Sequence, residues 1–284
     1  MSARGGAGQW LRDHVVVLVS VLVLVYLFLP IAYTFVFSFN DYTKSNIVWS
    51  GNATVEHWLH PCGAPGICQA LGTSMRVGLL STLLSTVFGT MMALALVRGR
   101  FRGRGLVDLL VLLPMATPEV VLGASLLTLF VQGFSKVGLQ LGFWALVMAH
   151  TMFCLSFVVV AVRARLQTLD PRLEEAAADL YAGPMQGFWL VTLPNLLPGV
   201  AAGALLSFAL SFDDVIISTF VSGEVATFPT YVYTAYLRGI PAEANVIGVA
   251  MFLLAIAAVA LAGLLGWGRT RRGAAEPGGA RERG

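Results

Sequence analysis

The chain has 284 residues, of which 57% are hydrophobic and 12% are charged, and its formal net charge is +3. This is far more apolar surface than one soluble core of this length needs, so the composition excludes a soluble globular domain and predicts an integral membrane protein. Three cysteines are too few for a disulfide scaffold or a cysteine-rich metal cluster, so no metal site is expected.

Six apolar windows are close to the length of about 20 residues that a helix needs to cross the hydrocarbon core. They predict an all-α polytopic membrane protein with six transmembrane helices, over Val15–Phe37, Met75–Val97, Leu109–Val131, Phe143–Val162, Gly199–Val221 and Val246–Trp267. The first window is long and lacks a small-residue cleavage site, so we expect it to remain as a span. In the third window, Pro114 and Pro118 are expected to weaken the helix.

These windows divide the chain into an N-terminal segment, a membrane domain and a tail. The membrane domain is expected to cover 15–267, with an outer loop over 38–74 and a cytoplasmic loop over 163–198. Residues 1–14 form the cytoplasmic N-terminus, and the Gly- and Arg-rich tail 268–284 is expected to be disordered.

The placement of the basic residues predicts the orientation, because Lys and Arg resist translocation. With the N-terminus inside, all of the 18 Lys and Arg residues except Lys44, Arg76, Lys136 and Arg238 fall on the cytoplasmic side. Both termini are then cytoplasmic. The positive charge thus reflects topology in a lipid bilayer, and no nucleic-acid partner is expected.

The predicted outer loop carries two cysteines and a tryptophan of interest. Cys62 and Cys68 bracket a five-residue segment in a compartment that would permit a disulfide, with two unrelated thiols as the alternative. Trp58 suits either interfacial anchoring or contact with a delivered cation.

Ionisable residues inside the predicted spans are functional candidates, because each costs about 2.5 to 3.5 kcal/mol to insert at mid-bilayer. They are Glu119, His150, Asp213 and Asp214. The residues Ser207, Ser211, Asp214 and Ser218 recur at helical steps and predict one polar stripe along the fifth span. We expect Asp214 to face a water-filled path that favours a cation, with Asp213 bordering it. The alternative is that these acids pair with a basic or hydroxyl group between helices, and His150 suits a hydrogen bond between helices better than a ligand role.

Several catalytic and nucleotide-binding motifs are absent from the sequence. It has no Gly-x-x-x-x-Gly-Lys-Ser/Thr phosphate loop, no His-Glu-x-x-His pair and no Gly-x-Ser-x-Gly elbow. No catalytic residue is therefore expected, and any energy for work must come from another protein.

The polar segment from Asp170 to Pro194, the coupling segment, lies between two apolar windows. Asp170 suits a helix cap, Pro171 suits the first position, and Gly183-Pro184 is expected to stop the helix. The apolar face of this short helix is formed by Leu173, Ala176, Ala177 and Leu180. The pattern predicts a docking helix that fits a groove in a partner.

The coupling segment resembles the signature of ABC importer permeases. That signature has Glu-Ala-Ala, here Glu175-Ala176-Ala177, then a Gly six positions after the Glu and a later hydrophobic-x-Leu-Pro, here 191–194. Tyr181 stands where the Gly is expected, and Gly183 is expected to supply the turn instead. The resemblance implies that an ATPase subunit is contacted by Glu175, Ala176, Ala177, Leu180 and Gly183.

From about Pro30 to Trp267 the chain is similar to one branch of that family, the permeases of spermidine/putrescine importers. The most specific pieces are Ser38-Phe39-Asn40, Pro118-Glu119, and the run from Leu206 to Asp214. The branch usually has Asp where Glu119 stands. The resemblance implies a polyamine path lined by Glu119, Ser211, Asp213 and Asp214, with Trp58 near its entrance.

The resemblance implies the type I, MetI-like permease architecture in a bacterial inner membrane. It also implies three kinds of protein partner: two copies of an ATPase that hold ATP with Mg²⁺, a second homologous permease subunit, and an extracytoplasmic polyamine-binding protein. This chain itself would hold no cofactor. The alternatives are an ABC permease for an amino acid, sugar or anion, a proton-coupled secondary transporter, and a membrane enzyme.

Overall fold

The computed structural model describes residues 6–41, 48–99 and 101–273, and this part of the chain is almost entirely helical. The helices are α1 (Gly6–Phe37), α2 (Glu56–Leu59), α3 (Ile67–Arg98), α4 (Arg104–Ala116), α5 (Glu119–Gln132), α6 (Phe143–Gln167), α7 (Arg172–Asp179), α8 (Pro184–Gly187), α9 (Leu193–Asp213), α10 (Ile216–Val221), α11 (Phe228–Tyr236) and α12 (Ala242–Gly273). A 3₁₀ turn covers Phe134–Val137, and a π-helical turn over Phe188–Thr192 joins α8 to α9. The predicted all-α fold is confirmed.

The structure does not confirm the count of six transmembrane helices. Among the described residues, four helices are long and apolar enough to cross a membrane, and a fifth span results if α4 and α5 are counted as one. The sixth window falls on α12, whose described apolar part is the shorter stretch Ala242–Ala257.

The third predicted span is broken into α4 and α5, whose axes differ by 110°. The break lies at Thr117, which is extended (φ −86°, ψ 133°), and Pro118 precedes the first turn of α5. A residue before proline is pushed out of the helical region by the proline ring, which explains the position of the break. Pro114, in contrast, lies inside α4.

Several helices extend beyond the predicted apolar windows by one or more turns. α3 begins at Ile67, so the outer loop ends before residue 74, and α6 runs past residue 163 to Gln167. α1 begins within the predicted N-terminal segment, and α12 continues through 268–273, which was predicted to be disordered. Residues 1–5 and 274–284 of the two predicted terminal segments lie outside the described residues.

The chain divides into two compact units, Met1–Pro65 with Ala235–Gly284, and Gly66–Thr234. The first unit contains α1, α2 and α12. Within it, His57 Nδ1 lies 3.5 Å from Glu243 Oε1, which holds α2 against the start of α12. The second unit contains α3 to α10 and the candidate site, and its most buried helix is α6.

The core of the second unit is formed by α3, α6 and α9, which pack closely because small residues face one another. On α3 the residues Ser81, Ser85 and Gly89 recur every four positions and are buried. A Cβ atom at Gly89 would come 2.8 Å from Val158 Cγ1 of α6, so only glycine permits this approach. α4 is tied to α6 by an ion pair in which Arg163 Nη1 lies 2.6 Å from Asp108 Oδ1.

Two of the three cysteines form a disulfide and the third is free. Cys62 and Cys68 are disulfide-bonded. Cys154 on α6 is free and buried.

Candidate functional site

The predicted fifth span is interrupted where its two carboxylates lie, so it is not one continuous helix. Asp213 is the last residue of α9, and Asp214 is extended (φ −69°, ψ 120°). The Asp214 carboxylate accepts hydrogen bonds from the backbone N–H groups of Ile217 (3.3 Å) and Ser218 (2.7 Å). An Asp side chain that caps nearby amides in this way competes with helix continuation, which explains the break.

His150 on α6 contacts residues on both sides of this α9–α10 break (residues 214–215). Its Nδ1 lies 2.8 Å from the Ser211 hydroxyl, and its Nε2 lies 3.1 Å from the Ser218 hydroxyl and 3.4 Å from Asp214 Oδ2. The imidazole is only 2% exposed. A proton on Nε2 satisfies the Asp214 carboxylate and leaves Nδ1 to accept from the Ser211 hydroxyl.

Ser211 is fixed between helices and does not line the cavity formed by Glu119, Asp213 and Asp214. It is 4% exposed, and its hydroxyl oxygen lies 2.9 Å from that of Ser81 on α3 as well as near His150. One turn earlier, the hydroxyl oxygens of Ser207 and Ser85 lie 2.8 Å apart. The two serines of α9 are therefore hydrogen-bonded to two serines of α3 in a buried interface.

A cavity of about 380 Å³, the acidic cavity, opens beside the break. It is lined by Glu119 at the start of α5, by Asp213 and by Asp214. The side chains of Glu119 and Asp213 are exposed, whereas Asp214 is 9% exposed. The other lining residues are apolar: Phe153, Leu206, Ala209, Leu210, Val215 and Ile216.

The composition of this lining favours a cation with an apolar body. Three carboxylates and no Lys or Arg occur among the described residues that line it. Because the Asp214 carboxylate is already engaged by His150 and two backbone N–H groups, Glu119 and Asp213 are the groups that remain to meet a solute. Asp213, not Asp214, is the more exposed of the two adjacent acids, which reverses the expected roles.

Trp58 belongs to the other compact unit and already has partners there. Its indole Nε1–H donates to the Ser38 hydroxyl at 3.1 Å, and its ring stacks on Phe39 with centroids 5.7 Å apart. This arrangement joins α2 to the residues that follow α1.

The coupling segment forms the second functional region, and α7 lies in it. α7 begins at Arg172, whose N–H donates to the Asp170 carboxylate at 3.0 Å, so Asp170 caps the helix as predicted. At the other end, the N–H groups of Ala182 and Tyr181 donate to the carbonyl oxygens of Ala177 (3.0 Å) and Ala178 (2.9 Å). This pair of bonds is a Schellman motif, which requires a left-handed residue at the position of Tyr181.

Tyr181 itself adopts that conformation, with φ +59°, and is the one non-glycine residue with positive φ among the described residues. The expectation that Gly183 supplies the turn is wrong. Gly183 is extended (φ −66°, ψ 160°) and precedes α8. The expectation that Gly183-Pro184 stops the helix is also wrong, because α7 ends at Asp179.

The residues predicted to contact a partner divide into two groups. Glu175, Ala176 and Leu180 are exposed, whereas Ala177 and Gly183 are half-buried. The latter two line a cavity of about 460 Å³ together with Arg98, Glu174, Ala178, Ala182, Pro184, Gly187, Phe188 and Thr192. The exposed group presents one carboxylate beside small and apolar side chains.

Glu174 holds the coupling segment to the scaffold. Its Oε1 accepts hydrogen bonds from Arg98, the last residue of α3, and from the Thr192 hydroxyl at 2.6 Å. The sequence places Arg98 next to other arginines near the membrane surface, and no spacing rule connects it to a residue 76 positions away.

Residues 85–267 match the family described as "Binding-protein-dependent transport system inner membrane component". The chain is 36% identical to the "Spermidine/putrescine transport system permease protein PotC" of Escherichia coli (strain K12) over 243 residues, which are 85% of this chain and 90% of that protein. It is 34% identical to the "Putrescine transport system permease protein PotI" of the same strain over 256 residues, which are 88% of this chain and 89% of that protein.

A solved structure shares the fold. It is described as the crystal structure of a bacterial ABC transporter involved in the import of the acidic polysaccharide alginate. One of its chains superposes with a TM-score of 0.64 at 16% identity, covering 92% of this chain and 98% of that one.

Proposed function

The chain belongs to the family of binding-protein-dependent transport system inner membrane components, and we propose that it is the permease subunit of an ATP-driven importer that moves a polyamine into the cytoplasm. The resemblance to ABC importer permeases is confirmed by the family match. The chain is a multi-pass membrane protein with a transport role. The observation that carries the proposed substrate is the acidic cavity, where Glu119 and Asp213 stay exposed without a basic neighbour in the lining.

The chemistry of the acidic cavity suits a polyamine, which has ammonium groups separated by methylene segments. Each carboxylate replaces part of the hydration of one ammonium group, and this offsets the cost of moving a cation into the membrane. Phe153, Leu206 and Leu210 offer apolar surface to the methylene segments. Two accessible acids attract the cation without surrounding it, so release remains favourable.

The proposed partners follow from the coupling segment and from the absence of a phosphate loop. An ATPase dimer that holds ATP with Mg²⁺ would dock on the exposed side of α7, contacting Glu175, Ala176 and Leu180. A homologous permease subunit would complete the path, and an extracytoplasmic binding protein would deliver the polyamine. In the orientation that the basic residues favour, the coupling segment and both termini lie on the cytoplasmic side of a bacterial inner membrane.

Motion at the ATPase has a physical route to the acidic cavity. The Glu174–Arg98 pair joins α7 to the end of α3, and α3 is joined to α9 by its buried serines. Asp213 is the last residue of α9. A displacement of α7 would therefore be transmitted along packed helices to the carboxylate that meets the cation.

The test is uptake of labelled putrescine and spermidine by proteoliposomes that contain the complete transporter, with ATP inside and the binding protein outside. We expect uptake that requires ATP. Asp213→Asn removes one of two accessible charges and should lower uptake about tenfold, which corresponds to roughly 1.4 kcal/mol. Glu224→Gln is the matched control, because Glu224 is an exposed carboxylate that lines a different cavity.

Two results would contradict the proposal. One is uptake that an ionophore abolishes and that is indifferent to ATP, since this identifies a proton-coupled transporter. The other is ATP-driven uptake of an uncharged or anionic solute in preference to polyamines, since this separates the importer from the assigned substrate.

A further inference from the structure

The side chain of His150 contacts residues on both sides of Asp213. Through Nδ1 it contacts Ser211, two residues before Asp213, and through Nε2 it contacts Asp214, the residue that follows. Nε2 also contacts Ser218 on α10. Asp213 therefore lies in a short stretch of backbone whose two ends are attached to one imidazole.

We propose that His150 is a positioning residue that fixes the direction in which Asp213 enters the acidic cavity. The proposal rests on the proposed function, in which Asp213 meets the transported cation. His150 does not touch the solute in this arrangement, because the imidazole is 2% exposed and is absent from the residues that line the acidic cavity. It acts by holding the backbone on either side of the carboxylate.

The packing around His150 supports this role. Ser211 is also held by Ser81 of α3, so the α9 end of the contact cannot shift independently. One turn further along α6, Cys154 Sγ lies 3.4 Å from the Ser207 carbonyl oxygen of α9. Both residues join α6 to α9, but the His150 contacts also reach across the break to α10. Cys154 is therefore a matched position on the same helix that lacks the proposed function.

A positioning role and a merely structural role predict different behaviour in a double-mutant cycle. If His150 acts through Asp213, its loss has little further effect once the Asp213 carboxylate is gone. If His150 only stabilises the bundle, the two losses multiply. Uptake is therefore compared per folded transporter for His150→Asn, Asp213→Asn and the double variant in the complete, reconstituted complex.

We expect His150→Asn to lower ATP-driven polyamine uptake about tenfold when Asp213 is present and less than about twofold in the Asp213→Asn background. His150→Gln, whose longer amide reaches toward the position of Nε2, should restore part of the loss. Cys154→Ala should give the same small effect in both backgrounds. A double variant that loses uptake about a hundredfold, or an unchanged rate for His150→Asn alone, would overturn the proposal.

Thiol labelling reads the position of residue 213 without relying on transport. Asp213→Cys is introduced in a Cys154→Ala background and labelled with a cationic methanethiosulfonate reagent, with and without His150→Asn. We expect the labelling rate to change several-fold, and an unchanged rate contradicts the positioning role. Altered labelling, together with no polyamine uptake by the transporter that retains Asp213, would overturn the proposed function while the positioning role stands.

Ser218→Ala keeps the proposal testable if His150→Asn does not fold. It deletes one oxygen and removes one of the contacts that reach across the break. The same cycle with Asp213→Asn should again show a smaller effect in the double variant, and multiplied losses would again contradict the proposal.

Discussion

Two pairs of adjacent acids, one beside the acidic cavity and one in the coupling segment, are organised in the same way. In the pair Asp213–Asp214, Asp214 is held by His150 and backbone N–H groups while Asp213 is exposed. In the pair Glu174–Glu175, Glu174 is held by Arg98 and Thr192 while its neighbour is exposed. Glu174 and Glu175 are adjacent in α7 and point roughly 100° apart, whereas Asp213 and Asp214 point apart because α9 ends between them and Asp214 is extended.

The two pairs differ in how firmly the scaffold holds them. The side chains of His150 and Asp214 are 2% and 4% exposed, whereas those of Arg98 and Glu174 are 38% and 40% exposed. A charged contact shielded from water is worth much more than one at the surface, where water and salt screen it. The contacts beside the acidic cavity are thus the firmer ones, and the coupling segment can be rearranged at lower cost, as the proposed coupling to an ATPase requires.

The largest predicted effect is the loss of stability on replacing the buried acid. Asp214→Ala removes the partner of a buried imidazole and leaves the N–H groups of Ile217 and Ser218 without their acceptor, so it should lower the free energy of unfolding by about 3 kcal/mol or more. Asp213→Ala should change it by less than about 0.5 kcal/mol, because this exposed acid lies at the unfavourable, negative end of the α9 dipole. Thermal unfolding of the purified protein in detergent measures both.

Equal losses of stability for the two alanine variants would contradict the division of roles within this pair. Asp214→Asn sharpens the test, because the amide oxygen can still accept one backbone N–H while the charge is lost. Its stability should fall between those of Asp214→Ala and the unmodified protein.

Much of the framework could be predicted from the sequence, because it depends on composition and local spacing. Five of the six apolar windows coincide with the four candidate spans and the bent pair α4–α5, the segment from Pro114 to Pro118 contains the break before α5, and Asp170 caps α7 as predicted. The fifth span was predicted wrongly because helical spacing assumes a continuous helix. Whether Asp214 continues the helix or caps the next one depends on His150, which is 64 residues away in the chain.

The same limit applies to the candidate site. The sequence identified Glu119 and Asp213 as intramembrane acids, and the structure places both on one cavity. The sequence could not pair His150 with Asp214 or Arg98 with Glu174, because contacts between distant helices leave no periodic signal within either helix. The sequence shows Tyr181 where the family signature has Gly, but it does not show that the tyrosine itself adopts the left-handed conformation.

A smaller effect is predicted in the coupling segment, where the two acids should affect different properties. Glu174→Ala removes an acceptor from Arg98, which is partly exposed, and from the hydroxyl of Thr192, which is buried, so it should lower the stability of the segment by about 1 kcal/mol. Hydrogen exchange of the α7 amides should rise about fivefold as a result. Glu175→Ala should leave this exchange unchanged and weaken co-purification of the ATPase.

Faster α7 exchange in Glu175→Ala, or unchanged exchange in Glu174→Ala, would show that the acids are not divided between scaffold and partner. Arg98→Ala provides an independent check, because it removes the same contact from the α3 side. It should raise the exchange of α7 in the same direction but by less than Glu174→Ala, because the Thr192 contact remains.

The smallest predicted effect concerns Tyr181, where the coupling segment stores backbone strain that the cavity side lacks. A non-glycine residue in the left-handed region costs about 1 to 2 kcal/mol, and the greater flexibility of glycine in the unfolded chain offsets about 0.5 to 1 kcal/mol of this. Tyr181→Gly should therefore stabilise the end of α7 by about 0.5 kcal/mol and slow amide exchange at Ala182, whose N–H closes the Schellman motif.

Tyr181→Ala separates the backbone from the ring, because it keeps the Cβ atom and its strain but removes the exposed phenol. Exchange at Ala182 should be unchanged in this variant, whereas ATPase binding should weaken in both variants if the ring contacts the partner. Faster exchange in Tyr181→Gly would mean that the left-handed turn is maintained by contacts of the tyrosine ring, and the strain would then lie elsewhere. Slower exchange with full ATPase binding would instead mean that the position requires only the turn, which a glycine supplies at lower cost.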